Sequence, residues 1–369
     1  MGALEEIIRE IRSTTQKCYL DTGAMSLMPK TVFEAVKDFH ESRRRNGPSF
    51  MKYWEEVEEL RSRTAQLIGS VPEEIMFVQN TSMGINLAAK ALDLKEGDNV
   101  VVTNIEFPAN IYPWMNLESQ GVEVRMIDVN DGILNEEKLL KICDEKTKVL
   151  SISWVQSSNG MVTDLKMCSD FCETHNILFV VDAIQGLGVL PIDVNKVHID
   201  FLVSGFFKWL LGPDGIAFVY INQKILGNLK NPFIGWAGMK NKFDYCTYKF
   251  DLPLEARRYE TGNMNFSGIF GARQGVQIVL EHQEEICEKV KKLTHYLRDE
   301  VQRIDGVELV SPSEGEKAGI TLIECSDSKQ KYEVLQKKGI IVNYRNGIRV
   351  SPHFYNTIED IDYFLDSIR

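Results

Sequence analysis

Five apolar residues followed by an aspartate stand in the stretch Ile177-Leu178-Phe179-Val180-Val181-Asp182-Ala183-Ile184-Gln185-Gly186. A short apolar run rich in β-branched and aromatic residues is typical of a strand that is buried on both faces, as in a parallel sheet. We therefore predict a buried strand over 177–181. The first polar side chain, Asp182, then stands at the carboxyl end of this strand, which is the edge where ligands bind in open α/β sheets.

Similar apolar runs occur on both sides of this strand and alternate with amphipathic stretches. This alternation indicates an α/β fold, with a mostly parallel seven-stranded sheet that is covered by helices. The predicted strands are 75–78, 99–103, 122–127, 148–153, 177–181, 200–203 and 216–220. The predicted helices of this part are 53–68, 86–92, 136–142 and 165–175. We predict that the large domain formed by these elements spans residues 18–265.

The remaining sequence has a different order of elements. A helical pattern over 266–302 is interpreted as a connecting helix. Beyond it, the sequence predicts a smaller α+β domain made of residues 303–369 together with residues 1–17. Its predicted elements are the strands 307–310, 319–325, 340–343 and 347–351 and the helices 4–12, 330–338 and 358–368.

The charge balance excludes several classes of partner. The 369 residues include 42 Lys and Arg against 53 Asp and Glu, which gives a net charge of −11. Such a surface repels phosphates, so we expect neither nucleic acid nor a membrane as a partner. No apolar stretch approaches the ~18 residues of a membrane span and no signal-peptide core is present, which favours a cytoplasmic location. The seven Cys and six His show no metal-ligand spacing, so no metal is expected.

A lysine lies between aromatic residues in the segment Gly205-Phe206-Phe207-Lys208-Trp209-Leu210. Burying an ammonium group is costly, so either its head reaches solvent or the lysine has a chemical reason to occupy an apolar site. One such reason is an imine with an aldehyde cofactor, because desolvation lowers the pKa of a lysine and makes it nucleophilic. For Lys208 alone, both interpretations remain open.

Asp182 strengthens the chemical interpretation of Lys208. A carboxylate at the ligand-binding edge of a sheet can keep a pyridine nitrogen protonated, and the ring then draws electrons from the α-carbon of a substrate. The alternative is that Asp182 caps the turn that follows its strand.

Two further segments follow predicted strands. Asn80-Thr81-Ser82 opens a helix, where small polar residues and free backbone amides can bind a phosphate. Ordinary helix capping explains the same residues. Glu106-Phe107-Pro108 follows the next strand, and the aromatic face of Phe107 can stack on a planar ring or belong to the core.

The order and spacing of these segments resemble the class V aminotransferase group of pyridoxal-phosphate enzymes. This group includes cysteine desulfurases, selenocysteine lyases, kynureninases and isopenicillin-N-epimerase-like proteins. The resemblance covers nearly the whole chain, from Tyr19-Leu20-Asp21-Thr22-Gly23-Ala24 to the segment 349–357. It implies the fold of type I pyridoxal-phosphate transferases and pyridoxal 5′-phosphate as the cofactor.

The resemblance also implies a role for particular residues. Lys208 is similar to the Schiff-base lysine that moves the α-proton, and Asp182 to the aspartate that pairs with the pyridine nitrogen. These two are the implied catalytic residues. The other implied cofactor contacts are Thr81, Ser82, Phe107, Ser157 and Gln185. Arg349 matches the arginine that binds the substrate α-carboxylate, with Ala24 as a second substrate-binding residue.

Two more cofactor-binding residues follow from the same resemblance. Asn263 lies in a segment that resembles one reaching the cofactor phosphate of a neighbouring subunit, which implies a homodimer with shared active sites. Ser204 resembles a phosphate-binding residue, although it stands four residues before Lys208 and many relatives place that residue three before.

The resemblance leaves the reaction open. Cysteine desulfurases need a nucleophilic thiolate shortly before the arginine that binds the carboxylate. The segment 341–347 contains no cysteine, and Cys325 ends an apolar strand pattern. We therefore expect transamination of a small-molecule amino acid. The alternative is a C–S lyase, desulfurase or epimerase that works without a persulfide cysteine.

Functions of other classes find less support in the sequence. Gly186-Leu187-Gly188 follows a strand and supplies two glycines of a dinucleotide-binding motif, but Pro191 replaces the third. A nicotinamide oxidoreductase is therefore disfavoured. A scaffold protein without activity is disfavoured because both Lys208 and Asp182 are present.

Overall fold

The seven strands predicted for the large domain form one central sheet in the computed structural model, which describes residues 2–369. The strands of the chain are β1 (Cys18–Tyr19), β2 (Ile75–Val78), β3 (Asn99–Thr103), β4 (Glu123–Ile127), β5 (Thr147–Ser153), β6 (Leu178–Asp182), β7 (Phe201–Gly205), β8 (Ala217–Ile221), β9 (Val307–Leu309), β10 (Thr321–Cys325), β11 (Ile340–Ile341), β12 (Asn343–Tyr344) and β13 (Ile348–Val350).

The helices occupy most of the predicted positions, with extended bounds in several cases. They are α1 (Ala3–Thr14), α2 (Lys30–Asn46), α3 (Phe50–Ile68), α4 (Thr81–Ala91), α5 (Tyr112–Met115), α6 (Glu136–Ile142), α7 (Leu165–His175), α8 (Gln223–Leu226), α9 (Phe266–Val301), α10 (Ser328–Lys337) and α11 (Ile358–Ile368). Short 3₁₀ turns lie at Pro72–Glu74, Pro108–Asn110, Glu118–Gln120, Trp236–Gly238 and Ala256–Tyr259. The helix α2 is not among the predicted elements.

The central sheet has the order β2-β8-β7-β6-β5-β3-β4. The strands β7, β6, β5, β3 and β4 run parallel to one another, whereas β8 is antiparallel to both of its neighbours. The predicted α/β fold with a mostly parallel seven-stranded sheet is therefore confirmed. Because β2 again runs in the common direction, the carboxyl ends of six strands meet at one edge of the sheet.

The sheet is buried on both faces because successive residues of a strand point to opposite sides. In β6, Phe179 and Val181 enter a core that includes residues of α3, α7 and α9. Val180 between them enters a second core with residues of α4. This two-sided burial is why the strands are apolar without alternation in the sequence.

The C-terminal part forms a second, antiparallel sheet with the order β12-β13-β10-β9. It shares a core with the end of α9 and with α10 and α11. The predicted single strand over 340–343 is wrong, because this segment contributes β11 and β12 to two different sheets. The strand β11 pairs in parallel with β1, which joins the start of the chain to its C-terminal part.

The helix α9 links the two sheets, and its regular geometry is interrupted at His282. Residues before this point, such as Ile269 and Val276, belong to the core of the central sheet. Leu293 and Leu297 after it belong to the C-terminal core. The bounds of the domains stay a prediction, and Met1 of the predicted range 1–17 lies outside the described residues.

The helix α1 contacts both parts of the molecule. Its buried residues Leu4, Ile8 and Ile11 join the core of the central sheet. Its Arg12 pairs with Asp360 of α11 at 2.6 Å. Across residues 2–369, none of the helices combines the length and the apolar character needed to cross a membrane.

Candidate active site

A cavity of about 280 Å³ opens at the carboxyl edge of the central sheet. The residues predicted from the sequence that line it are Ala24, Thr81, Ser82, Phe107, Ser157, Asp182, Gln185, Lys208 and Arg349. They come from loops that follow different strands and from the C-terminal sheet. The fold therefore gathers in one place residues that are more than three hundred positions apart in the chain.

Lys208 follows β7 and is among the residues that line this cavity. Its Nζ lies 5.6 Å from the centre of the Phe207 ring. Burial lowers the pKa of Lys208 to about 8, against the opposing attraction of Asp182, and the charge of Arg349 lowers it further. A substantial fraction of the amine is therefore unprotonated, and hence nucleophilic, at mildly alkaline pH.

Asp182 ends β6 and lines the same cavity. Burial raises the pKa of its carboxyl to about 6, although the Ile184 amide, which donates to Oδ1 at 3.1 Å, and the charge of Lys208 both oppose the shift. A buried carboxyl whose charge is costly gains from a cationic partner that stays in place. A protonated pyridine nitrogen is such a partner.

The helix α4 begins at the cavity wall. Asn80 caps it by accepting a hydrogen bond from the Met83 amide at 2.9 Å. Thr81 is buried, and its Oγ1 has no hydrogen-bond partner within residues 2–369. An unsatisfied buried hydroxyl is unfavourable, and here it stands beside Ser82 at the positive end of a helix dipole.

Phe107 and Gln185 have different surroundings. Phe107 is 40% exposed and lines the cavity, so one face of its ring is free of packing. Gln185 is buried, and its amide group is held from both ends. Its Nε2 donates to the Gly23 carbonyl at 2.8 Å, and its Oε1 accepts from the Trp209 Nε1 at 2.9 Å.

Arg349 on β13 is only 1% exposed and is held in a fixed position. Its Nη1 donates to the Ser157 carbonyl at 2.8 Å and its Nη2 to Asp21 at 3.1 Å. Its Nε has no partner in the described part of the chain. Burial lowers the pKa of Arg349 in spite of the attraction of Asp21. The remaining N–H groups of the guanidinium are available for a carboxylate in the cavity.

Two predicted cofactor-binding residues lie outside this cavity. Ser204 is buried within β7, where its hydroxyl donates to the Gly205 carbonyl at 3.2 Å. Asn263 is exposed to solvent. Neither is among the residues that line the cavity, so their roles stay predictions.

Two residues were absent from the predicted site. Glu106 is buried directly before Phe107 and accepts hydrogen bonds from the side chains of Thr103, Asn110, Ser153 and Gln156. These bonds fix the loop that carries Phe107. Glu106 follows the end of a predicted strand, and this position is the sequence signal that could have identified it as a residue of the site.

The other is Arg345, which lies at the tip of the hairpin β12–β13 and lines the cavity. Its position four residues before Arg349 was visible in the sequence, but only the hairpin geometry brings it to the site.

The residues that are present fit the cofactor implied by the resemblance. The unpartnered Thr81 hydroxyl and the start of α4 suit a phosphate, the free face of Phe107 suits a ring, and the buried Asp182 carboxyl suits a pyridine nitrogen. Lys208 supplies an amine of lowered pKa to the same cavity. Each part of pyridoxal 5′-phosphate thus finds a suitable group.

Comparison with known proteins identifies the family of the chain. Residues 18–364 match the sequence model of the family described as Aminotransferase class-V. Among curated proteins, the chain is 29% identical to "Uncharacterized aminotransferase YcbU" of Bacillus subtilis, over 100% of this chain and 98% of that protein. It is 28% identical to a "Probable cysteine desulfurase" of Pyrococcus abyssi, over 98% of this chain and 96% of that protein.

Solved structures share the architecture. The apo structure of cysteine desulfurase from Thermococcus onnurineus NA1 superposes with a TM-score of 0.91 at 25% identity, covering 100% of this chain and 98% of that chain. The cystine C–S lyase C-DES shares the fold with a TM-score of 0.89 at 20% identity, covering 96% of this chain and 98% of that one. The protein therefore belongs to the class V aminotransferase family and is an enzyme of the fold type I group that uses pyridoxal 5′-phosphate.

Proposed function

We propose that the enzyme catalyses transamination at the α-carbon of a small-molecule amino acid. The observation that carries this proposal is the cavity that holds Lys208, Asp182 and Arg349 together without any cysteine in its lining. A relative named as an aminotransferase, aligned over the full chain, supports it.

Each residue has a task in this reaction. Thr81 and Ser82 would hold the cofactor phosphate, and Phe107 would stack on the ring. Asp182 would hold the ring nitrogen in its protonated form. The bound cofactor supplies an electron sink for the α-carbon of the substrate. Gln185 lies close enough to the cavity to contact the ring as well.

The substrate is oriented by Arg349 and processed by Lys208. The N–H groups of Arg349 left free by Asp21 and Ser157 bind the α-carboxylate, which fixes the α-carbon relative to the amine. The Lys208 Nζ removes the α-proton and returns a proton in a later step. A pKa of about 8 suits both tasks, because the amine exchanges its proton readily near neutral pH.

A C–S lyase or desulfurase is the second candidate function. Several relatives are named as cysteine desulfurases, and the fold is shared with a cystine C–S lyase. A persulfide mechanism needs a thiol in the cavity, whereas the cavity lining contains none. Cys325 lies at the end of β10, with its Sγ 3.3 Å from the Ser328 hydroxyl. Elimination or epimerisation without a protein thiol shares the same first steps as transamination.

A panel of amino acids with and without α-keto acids distinguishes these reactions. We expect formation of a new amino acid that depends on the added keto acid, measured by chromatography. Pyruvate or sulfide released without a keto acid would instead identify an elimination. Loss of optical rotation without a net product would identify an epimerase. Either of these results would contradict transamination.

We also infer that the enzyme is a cytoplasmic homodimer with shared active sites. A second, larger cavity of about 730 Å³ is lined by the irregular segment 234–251. Its aromatic residues are unusually exposed, with Tyr248 fully exposed and Phe250 71% exposed. Exposed apolar patches of this kind favour association, and a second copy of the chain is the occupant we propose. Asn263, which is also exposed, would then reach the neighbouring site.

Sedimentation of the purified protein tests the dimer. We expect a species of twice the chain mass, and we expect that a Tyr248→Glu and Phe250→Glu double variant shifts it toward the monomer by introducing charge into the interface. Tyr363→Glu is the matched control, because Tyr363 is 46% exposed on α11 and lies outside the segment. A monomeric wild-type protein, or equal dissociation in both variants, would contradict the inferred interface.

A further inference from the structure

Arg345 is a charged residue of the cavity that the proposed reaction does not use. It lies in the three-residue turn between β12 and β13, where its backbone amide donates to the Gly347 carbonyl at 2.8 Å. Asn346 at the tip adopts a left-handed conformation with φ of 57°, which fixes the turn. The guanidinium lines the same cavity as Lys208.

The hairpin places Arg345 and Arg349 on the same face. In its register Asn343 is opposite Arg349 and Tyr344 is opposite Ile348, so the next pair is Arg345 with Gly347. Alternate pairs of a hairpin face the same side, and Arg345 therefore shares the face of Arg349, two register positions nearer the tip. Gly347 opposite carries no side chain that could cover it.

The charges of the other cavity residues are balanced, whereas that of Arg345 is not. Arg349 pairs with Asp21 at 3.1 Å, and Lys208 has Asp182 as its counter-charge. Within residues 2–369, Arg345 forms no ion pair. It is nevertheless close enough that its charge lowers the pKa of both Lys208 and Arg349. An unneutralised guanidinium beside the reacting amine attracts an anion into the cavity.

We propose that Arg345 binds a carboxylate on the side chain of the substrate, so that the enzyme selects dicarboxylic amino acids over neutral ones. This inference rests on the proposed function and names its substrate class. Each guanidinium binds one carboxylate. Arg349, which is fixed by Asp21 and Ser157, binds the α-carboxylate, and Arg345 on the exposed hairpin tip binds the side-chain carboxylate. The phosphate of the cofactor has its own site at the start of α4, so Arg345 remains available.

Binding of simple acids to the holoenzyme tests this without turnover. Titration calorimetry with succinate and with propionate compares two ligands that differ by one carboxylate. Because Arg345 is exposed, solvent weakens its charge-assisted hydrogen bond to a carboxylate, so we expect succinate to bind more tightly than propionate by about 3- to 10-fold. Equal affinity of the two acids would overturn the proposal.

Variants assign the preference to Arg345. We expect Arg345→Gln to remove most of the preference for succinate and Arg345→Lys to retain a part of it, because the charge stays while the bidentate geometry is lost. Arg44→Gln, at an exposed arginine in the last turn of α2 that does not line the cavity, is the matched control and should keep the full preference. An unchanged preference in Arg345→Gln would refute the assignment.

The spectrum of the holoenzyme separates this inference from the proposed function. If neutral and dicarboxylic amino acids perturb the cofactor absorbance at equal concentrations, the enzyme does not select dicarboxylic substrates. The proposed reaction class would be unaffected by this result. If no amino acid perturbs the absorbance, the proposed function itself fails.

Discussion

Replacement of Lys208 by alanine is expected to lower turnover by at least about 10³-fold, because one side chain both carries the cofactor and moves the α-proton. No other lysine lines the cavity among residues 2–369, so no neighbouring amine can take over. The measurement is kcat in the keto-acid-dependent assay, together with peptide mass mapping after borohydride reduction. We expect the reduced cofactor on the peptide that contains Lys208, and none in the variant.

Lys90→Ala is a matched control for this variant. Its Nζ lies 5.6 Å from the Phe233 ring, the same distance as that between Lys208 and the Phe207 ring, but Lys90 is exposed at the end of α4. It should retain normal activity. If Lys208 only packed on its aromatic ring, as Lys90 does, the two alanine variants would have similar turnover. A turnover of Lys208→Ala close to that of Lys90→Ala would therefore disprove the assigned role.

Asp182→Asn is expected to reduce kcat by about 10²- to 10³-fold, since asparagine keeps the shape but cannot hold a ring nitrogen in its protonated form by charge. The substitution should at the same time stabilise the protein without cofactor. Burial raises the pKa of the Asp182 carboxyl from 3.8 to about 6, so the charged form is disfavoured in the folded state. At neutral pH this charge costs on the order of 1–3 kcal/mol of folding free energy.

The sign of this effect can be checked through its pH dependence. Below pH 4 the carboxyl is protonated in both the folded and the unfolded chain, and the variant has no advantage. Between pH 4 and pH 6 the unfolded carboxyl ionises first, so the wild type loses stability relative to the variant. From pH 6 until the neighbouring Lys208 begins to lose its proton, near its pKa of about 8, the difference is constant. Urea unfolding of the apoprotein at pH 4, 5 and 7 measures it.

Asp170→Asn serves as the control, because Asp170 is exposed on α7 and pairs with Lys166. It should change neither kcat nor the shape of the pH profile. A variant Asp182→Asn that is less stable than the wild type at pH 7 would show that the carboxylate is satisfied without a cofactor, and would contradict the role given to it.

Most elements of the central sheet could be predicted from the sequence because burial on both faces leaves a clear apolar run. The strand β6 and the turn at Asp182 illustrate this. The strand β1 could not, since two residues carry no periodicity and only the pairing with β11 defines it. The segment 340–343 was predicted as one strand because its apolar pattern does not reveal that the chain changes sheets after Ile341.

Some residues of the candidate site could be predicted from the sequence, and others could not. Residues that directly follow strand ends, such as Thr81, Asp182 and Lys208, could be predicted because parallel strands bring their carboxyl ends to one edge. Arg345 reaches the cavity only through the register of the hairpin β12–β13, which depends on contacts distant in sequence. The network around Glu106 likewise depends on neighbours from β5 and beyond.

The segment 21–23, which follows β1, contacts several residues of the C-terminal part at the place where the substrate carboxylate is expected. Asp21 accepts from both Arg349 and Asn343, the Gly23 amide donates to the Ser351 hydroxyl, and a Cβ at Gly23 would approach the Arg349 guanidinium to 3.2 Å. The Arg349 guanidinium contacts Asp21 and lies close to Gly23, and Asp21 and Gly23 also bond to Asn343 and Ser351, so the energies of these contacts are not independent. A substitution at one of these residues therefore disturbs the contacts of the others. We expect that substitutions in this cluster are tolerated only when neighbouring residues change with them.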